Sequence, residues 1–262
     1  MDFVSASPHV IAHNLNEGLP FADKTFDAVY HSHVLEHFQV EDGKRFVGEC
    51  FRVLKPGGVL RVAVPDLEQI CRVYLESLEK IEAGDSSWRG RYDWIILEMY
   101  DQTVRSVSGG AMAEYLKQRN LPHKDFIISR AGNIACEIIE ATARDQTESN
   151  NTQNAPKFKR ALSRLHHAPS KLSKLIRMLL LSTHEKEALE LGLFRLGGEI
   201  HQWMYDGYSL RTLLEEAGFK GVRRTSATES SIPQWNDYYL DIGKDGFEHA
   251  PASLYMEGVR PR

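Results

Sequence analysis

Short apolar runs and helix-spaced apolar positions alternate along the first third of the chain. Three runs predict strands, at residues 9–14, 26–30 and 59–64. Across residues 41–54, apolar side chains recur every three or four positions, which predicts a helix that Pro56-Gly57-Gly58 ends. Asp66 is expected to cap a further helix, with Gln69 in the capping-box position. Strand, helix, strand and helix in this order predict a parallel sheet covered by helices.

The same alternation returns near the end of the chain. Ser209 is expected to cap an apolar helix that stops at Gly218. Two further strands are predicted over residues 219–225 and 253–259. Together with the N-terminal pattern, these elements predict an α/β fold.

Residues from about 84 to 200 break the alternation. Three stretches have a helical pattern, at residues 92–102, 124–143 and 170–182, and residues 147–155 are predicted to be a polar, mobile link. We interpret the region as a helical insertion that covers the site. The chain is then divided into an N-terminal core part (1–83), an insertion or lid (84–200) and a C-terminal core part (201–262).

Composition argues against several classes of protein. Lys and Arg total 32 against 36 for Asp and Glu, so neither nucleic acid nor an anionic membrane is expected as a partner. Cys50, Cys71 and Cys136 are widely spaced, which favours neither a disulfide framework nor a thiolate metal site. The longest apolar run, residues 178–181, is too short to span a bilayer, and the first residues do not resemble a signal peptide. We therefore expect a cytoplasmic protein.

Two motifs give the sequence a specific resemblance. Residues 18–37 surround a buried strand and end in His33-Val34-Leu35-Glu36-His37, and residues 52–60 contain Leu54-Lys55-Pro56-Gly57-Gly58. At this separation the two motifs resemble the class I S-adenosylmethionine-dependent methyltransferases, in particular the small-molecule "type 11" group. The resemblance covers residues 1–67 and about 205–225. It implies a Rossmann-like parallel sheet with an antiparallel last strand, and S-adenosylmethionine as the cofactor.

The resemblance also implies a set of cofactor-binding residues. Ligands of open parallel sheets lie beyond the carboxyl ends of the strands, where two predicted strands are followed by polar residues. Asn14, where the family usually has Asp, would accept a hydrogen bond from the adenine amino group, and Leu15 would offer its backbone N–H to the adenine ring. His31, Ser32 and His33 would surround the methionine part of the cofactor.

The start of the chain departs from the family pattern. Asp2 lies about where the family has the acid that ends its second strand and binds both ribose hydroxyls. The family's first strand and its Gly-x-Gly loop would precede Asp2, and this strand is central in the order 3-2-1-4-5-7-6. Gly109-Gly110 and Gly197-Gly198 lie in the insertion and do not replace the loop. We expect either a start site assigned too late or a true fragment, and tighter cofactor binding by an extended chain.

Residues 33–37 also match the H-x-x-E-H pattern of inverted zinc peptidases. Their position after a buried strand and before Lys55-Pro56-Gly57-Gly58 favours the methyltransferase interpretation, so no metal site is predicted. Methyl transfer to oxygen or nitrogen needs an aligned acceptor and, where necessary, a base, for which histidine is usual. His33, His37 and His201 are candidates, and His37 and His201 are the predicted catalytic residues. His201 lies where the chain returns from the insertion to the sheet.

The acceptor is the least specified part of the hypothesis. Residues 157–177 contain seven Lys or Arg and no Asp or Glu, which indicates either a solvated face or a surface for an anionic acceptor such as a phosphorylated or nucleotide-linked sugar. The leading hypothesis is methylation of a small-molecule or glycan-type acceptor. The alternative is a truncated, non-catalytic methyltransferase-like protein. None of these patterns encodes an oligomeric state.

Overall fold

The computed structural model describes residues 1, 9–118, 120–149 and 181–262. In chain order, the strands are β1 (Phe26–Ser32), β2 (Leu54–Pro65), β3 (Lys220–Thr225) and β4 (Ser253–Val259). The helices are α1 (Val40–Val53), α2 (Leu67–Glu82), α3 (Arg89–Val104), α4 (Gly110–Leu116), α5 (Lys124–Ser149), α6 (Thr183–Arg195) and α7 (Gly207–Glu216). Single 3-10 turns occur at Leu15–Glu17, Leu35–His37, Ser86–Trp88 and Trp235–Tyr238.

The strands form one mixed sheet in the order β1-β2-β4-β3. β1 and β2 are parallel, with Val29 opposite Leu60, whereas β4 runs antiparallel between β2 and β3, with Met256 opposite Val62. This arrangement confirms the predicted α/β class and the antiparallel last strand. The predicted strands at residues 26–30, 59–64, 219–225 and 253–259 correspond to β1, β2, β3 and β4.

One face of the sheet is covered by α1 and α7. Their apolar stripes pack over alternate residues of β2 and form the main core, which includes Phe46, Val47, Leu210, Leu214 and Val62. Full burial of each such side chain contributes roughly 1.5–3 kcal/mol. Glu41 and Asp42 in the first turn of α1 also stabilise the helix, because their negative charges lie at the positive end of its dipole. This packing fixes the carboxyl end of β1 relative to the start of α1.

The opposite face of the sheet holds a buried ionic network. Arg61 of β2 lies 2.7 Å from Asp241 and 2.9 Å from Glu257, and its guanidinium stacks 4.5 Å from the centroid of Trp235. Because both carboxylates pair with the same fully buried cation, no charge of the three is left isolated. The network ties the segment between β3 and β4 to the sheet.

The middle of the chain packs as a separate helical layer. Trp94, Leu116, Ile127 and Ala135, from α3, α4 and α5, form its core. Arg130 of α5 joins the layer to the rest of the molecule through Glu98 of α3 and the Gln69 side chain of α2.

The predicted cap of α2 is found in the structure, whereas the predicted cap of α7 is not. Asp66 caps α2 by accepting from the Gln69 N–H at 3.2 Å, as predicted, but the Gln69 side chain accepts from Arg130 and does not complete a capping box. The prediction that Ser209 caps the last helix was wrong, since α7 begins after Asp206. The Asp206 carboxylate accepts from the Ser209 N–H at 2.8 Å, and the Ser209 hydroxyl lies 3.0 Å from the Asp206 nitrogen. Both residues take part in one capping box, three positions apart.

Two further predictions about local structure were wrong. Residues 9–14 form a turn and an irregular segment with a single bridge residue, Ala12, rather than a strand. The polar link expected from residue 147 starts later, because α5 continues through Ser149. The rest of that link, nearly all of the predicted helix at 170–182 and the basic stretch 157–177 lie outside the described residues.

The helical predictions at 92–102 and 124–143 are confirmed by α3 and α5, whereas α4 and α6 were not predicted. Within the described ranges, each helix is too short or too polar to cross a bilayer.

Candidate functional site

A cleft of about 590 Å³ opens at the carboxyl end of β1. One wall is the turn around Asn14 and Leu15, the floor is the end of β1 with Ser32 and His33, and His37 lies farther along. Residues 197–199, which follow α6, line the facing side. The cleft therefore lies at the sheet edge where ligands of parallel α/β folds bind.

Asn14 is held in place by its own turn. Its side-chain oxygen accepts from the Asn16 N–H at 3.1 Å, and its amide nitrogen donates to Glu17 at 3.0 Å. An amide oxygen has two lone pairs, so Asn14 can accept a second hydrogen bond from a ligand. The neighbouring His13 lies 2.7 Å from the Gly18 carbonyl and closes the same turn.

His33 turns the chain sharply at the floor of the cleft. Its φ of 52° lies in the left-handed region, which is strained for a residue with a Cβ. Its N–H donates to the Ala63 carbonyl at 2.9 Å, which extends the β1–β2 pairing by one bond. Its ring Nε2 lies 2.9 Å from the Ser253 hydroxyl at the start of β4. The strained residue is thus fixed by β2 and by the first residue of β4.

His31 does not line the cleft. Its ring packs against Phe46 with 5.1 Å between centroids, and neither ring nitrogen has a partner within the described residues. Burial lowers the pKa of His31 to about 4 despite the nearby Glu36 carboxylate, so the ring is neutral at pH 7. It is a core residue beneath the site.

Glu36 is a wholly buried carboxylate behind the cleft. Its Oε1 lies 3.1 Å from Nδ1 of His33 and 3.9 Å from Nε2 of His201. Neither carboxylate oxygen of Glu36 accepts a hydrogen bond from the described part of the chain. Burial by itself would raise the pKa of Glu36, but the two histidines outweigh it and lower the pKa, which leaves the group negatively charged.

His37 and His201 lie edge to face, with 4.9 Å between ring centroids. Nδ1 of His37 is 3.2 Å from the Ile200 carbonyl. Because a carbonyl can only accept, Nδ1 carries the proton and Nε2 keeps a free lone pair. His201 is only 5 % exposed, and burial lowers its pKa to about 4, although Glu36 opposes the shift. The His201 ring is therefore neutral at pH 7.

Backbone hydrogen bonds fix the segment that carries His201. The Gln202 and Trp203 N–H groups both donate to the Glu36 carbonyl, at 2.7 and 3.2 Å, and the Gln202 side chain donates to the His37 carbonyl at 3.1 Å. The His201 N–H donates to the Gln102 carbonyl of α3 at 3.0 Å. The segment returning from the middle of the chain is thus attached to both the sheet edge and the helical layer.

The structure brings most of the sequence-predicted residues to one place. Asn14, Leu15, Ser32, His33 and His37 line the cleft, and His201 lies behind His37. Asp2 lies outside the described residues. The sequence analysis missed Glu36 as a site residue, although the H-x-x-E-H pattern contains it.

Comparison with known proteins points to one family. Residues 4–62 match the family model described as "Methyltransferase domain". A protein of Mycolicibacterium smegmatis (strain ATCC 700084 / mc(2)155), named "Probable S-adenosylmethionine-dependent methyltransferase", is 49% identical over 53 residues. Those residues are 20% of this chain and 20% of that protein, so the match spans a fifth of the relative's length.

One solved structure is also similar, at 12% identity and a TM-score of 0.32. It contains a complex between the Haloferax volcanii Trm112 methyltransferase activator and a methyltransferase, and the alignment covers 94% of this chain and 59% of that one.

Proposed function

We propose, from the match of residues 4–62 to the family model described as "Methyltransferase domain" and from the similar S-adenosylmethionine-dependent relative, that this chain binds S-adenosylmethionine and transfers its methyl group to a small-molecule or glycan-type acceptor. One observation carries the proposal. The described cleft is lined by Asn14, Ser32, His33 and His37, and all four lie within the segment that matches the family model.

The cleft fits the proposed cofactor in size and chemistry. A volume of about 590 Å³ lies within the range of roughly 300–1,000 Å³ that is usual for small-molecule sites. Asn14 has a free lone pair for the adenine amino group, and the adjoining Leu15 would offer its backbone N–H to the ring. Ser32 and His33 would contact the methionine part, and Asp2 is proposed to bind the ribose hydroxyls.

His37 and His201 are proposed as the catalytic residues at the acceptor end. Methyl transfer is an in-line displacement, so the protein's main task is to align the acceptor with the sulfonium carbon. With Nδ1 donating to the Ile200 carbonyl, Nε2 is the His37 nitrogen that is placed to accept a proton from an acceptor hydroxyl or amine. Burial lowers the pKa of His201 to about 4, and this residue is proposed to contact the acceptor beside His37.

We further propose that residues 84–200 act as the insertion that covers the site. The support is that residues 197–199 line the cleft opposite the family segment. The three cysteines are unpaired, which agrees with a reducing, cytoplasmic location.

Titration calorimetry with S-adenosylhomocysteine tests the proposal. Asn14→Ala should weaken binding by about 1–3 kcal/mol, because the adenine amino group loses its acceptor. Glu17→Ala is the matched control, since it removes the partner of the Asn14 amide and leaves the Asn14 oxygen in place. It should change the binding free energy by less than about 0.5 kcal/mol.

Equal losses in the two variants would mean that Asn14 only shapes the turn. No binding to the unaltered chain at any concentration reached would favour the non-catalytic alternative.

A further inference from the structure

Glu36 has a feature that methyl transfer does not explain. Its carboxylate is 0 % exposed, and neither oxygen accepts a hydrogen bond from the described residues. A buried charge without hydrogen bonds is costly, and folded proteins normally satisfy it with a paired cation, a network or a metal ion. No Lys or Arg of the described ranges forms an ion pair with Glu36, and its two ion-pair contacts are histidines.

The groups around Glu36 form a ligand set. One carboxylate oxygen of Glu36 and one ring nitrogen each of His37 and His201 all lie within 4.8 Å of one another. Metal–nitrogen bonds of about 2.0–2.1 Å place tetrahedral donors about 3.4 Å apart, so small side-chain rotations bring the three groups into range. Nδ1 of His33, 3.1 Å from the same Glu36 oxygen, is available as a fourth donor.

The surroundings of the ligand set are already ordered. The Ile200 carbonyl fixes the tautomer of His37, which is the usual role of an outer-shell acceptor next to a metal-bound histidine. The Glu36 carbonyl accepts two backbone N–H groups from the segment that carries His201. All three donors are therefore positioned before any ion binds, which lowers the entropic cost of binding.

We propose that Glu36, His37 and His201 bind one divalent first-row transition metal ion of the Zn²⁺ type, with an open coordination position toward the cleft. Two imidazoles and one carboxylate are the donors of open Zn²⁺ and Fe²⁺ sites, whereas Mg²⁺ and Ca²⁺ prefer oxygen donors. The open position faces the cleft because His37 lines it.

This site differs from the zinc-peptidase interpretation of the same motif. In that pattern His33 and His37 share a helix face, whereas here His33 lies outside the 3-10 turn and His201 comes from a distant segment. The expectation of no metal site, which rested on rejecting the peptidase pattern, is thus replaced by a different ligand set. The metal site rests on the proposed function and deepens it, since a bound ion would polarise an acceptor oxygen, with His37 and His201 acting as its ligands rather than as bases.

Co²⁺ is the probe for the experiment, because its visible absorption reports coordination by nitrogen and oxygen. The chain is first treated with a chelator, which is then removed. It is titrated with Co²⁺, followed by absorption, and separately with Zn²⁺, followed by calorimetry. We expect one ion per chain. Glu36→Gln and His201→Gln should each weaken binding at least about 100-fold, since even outer-shell changes cost 10–100-fold.

His184→Gln is the matched control, because His184 is exposed on α6 and remote in sequence from the ligand set. It should leave the affinity unchanged. If Glu36→Gln fails to fold, as judged by circular dichroism, His201→Gln and the unaltered chain decide the question.

The proposal is overturned if the unaltered chain takes up no stoichiometric Co²⁺ or Zn²⁺, or if folded His201→Gln binds as tightly as the unaltered chain. Binding of S-adenosylhomocysteine is measured separately. If the unaltered chain takes up the metal ion but does not bind S-adenosylhomocysteine, the proposed function alone is contradicted. If it binds S-adenosylhomocysteine but takes up no metal ion, the metal site alone is contradicted.

Discussion

His31 and Glu36 show how neighbouring buried polar groups serve different ends. Both lie near the end of β1, and neither has a hydrogen-bonding partner for its side chain among the described residues. His31 can lose its charge and become neutral, because burial lowers its pKa to about 4. The pKa of Glu36 is lowered despite its burial, chiefly through the contact with His33, so its carboxylate keeps its charge. The first is a tolerated core residue, whereas the second needs a cation.

Replacing His31 should change how stability depends on pH. The unfolded chain protonates His31 near its ordinary pKa of 6.5, but the folded chain does so only near 4. Its contribution is therefore present above pH 6.5 and is lost as the pH falls toward 4. His31→Leu should reduce this loss and, by removing unpaired ring nitrogens, raise the free energy of unfolding at pH 5 by roughly 1–2 kcal/mol.

Urea unfolding at pH 7.5, 6 and 5 measures the effect, with exposed His184→Leu as the control. An unchanged pH dependence in His31→Leu would show that the His31 ring is already protonated or solvated in the folded chain.

The site residues that the family resemblance implies were predictable because they lie in one continuous segment. Asn14, Ser32, His33 and His37 lie within 24 residues of chain, so their order along β1 and its flanking turns already places them together. Glu36 was not predicted as a site residue because its burial depends on the Ile200–Trp203 segment, which is distant in sequence. His31 was assigned to the cleft although side chains alternate along a strand, and its alternate position turns it toward α1.

Strands and amphipathic helices were predicted well where one periodicity persisted. α1 and β4 have this property, and their predicted bounds differ from the observed ones by few residues. α6 was missed although Ser182 and Glu185 form a capping box that the sequence contains. It was overlooked because its apolar residues are exposed and follow no single stripe. Residues 9–14 were assigned as a strand from apolarity alone, without a pairing partner.

The kink in α5 gives a matched pair of glycine tests. Gly132 has φ 60° and ψ −144°, and a Cβ there would lie 2.3 Å from the His249 carbonyl oxygen. Gly132→Ala should therefore destabilise the chain by at least about 2 kcal/mol, since both strain and a backbone clash oppose it. Gly192 in α6 has open space around it, and Gly192→Ala should stabilise by about 0.5–1 kcal/mol.

Thermal and urea unfolding of the two variants at one pH provides the comparison. A neutral Gly132→Ala substitution would mean that α5 runs straight past His249 in solution.

The molecule as a whole joins three parts at the cleft. The sheet edge supplies Ser32 and His33, the N-terminal turn supplies Asn14, and the segment after α6 brings residues 197–201 against them. The sequence indicated that the middle of the chain returns to the sheet edge, but not that His201 would reach Glu36. That contact depends on α3, whose Gln102 carbonyl holds the His201 N–H.

The central claim is the proposal that this cleft binds S-adenosylmethionine, and one measurement tests it most directly. In a titration of the ¹⁵N-labelled chain with S-adenosylhomocysteine, followed by amide resonances, even weak binding is detected and located. We predict saturable shifts at Asp2 and at residues 13–16, 32–34 and 197–199, with none at the separate cleft around Cys136 and Phe247. Absence of shifts at millimolar ligand, or shifts centred on that second cleft, would contradict the account.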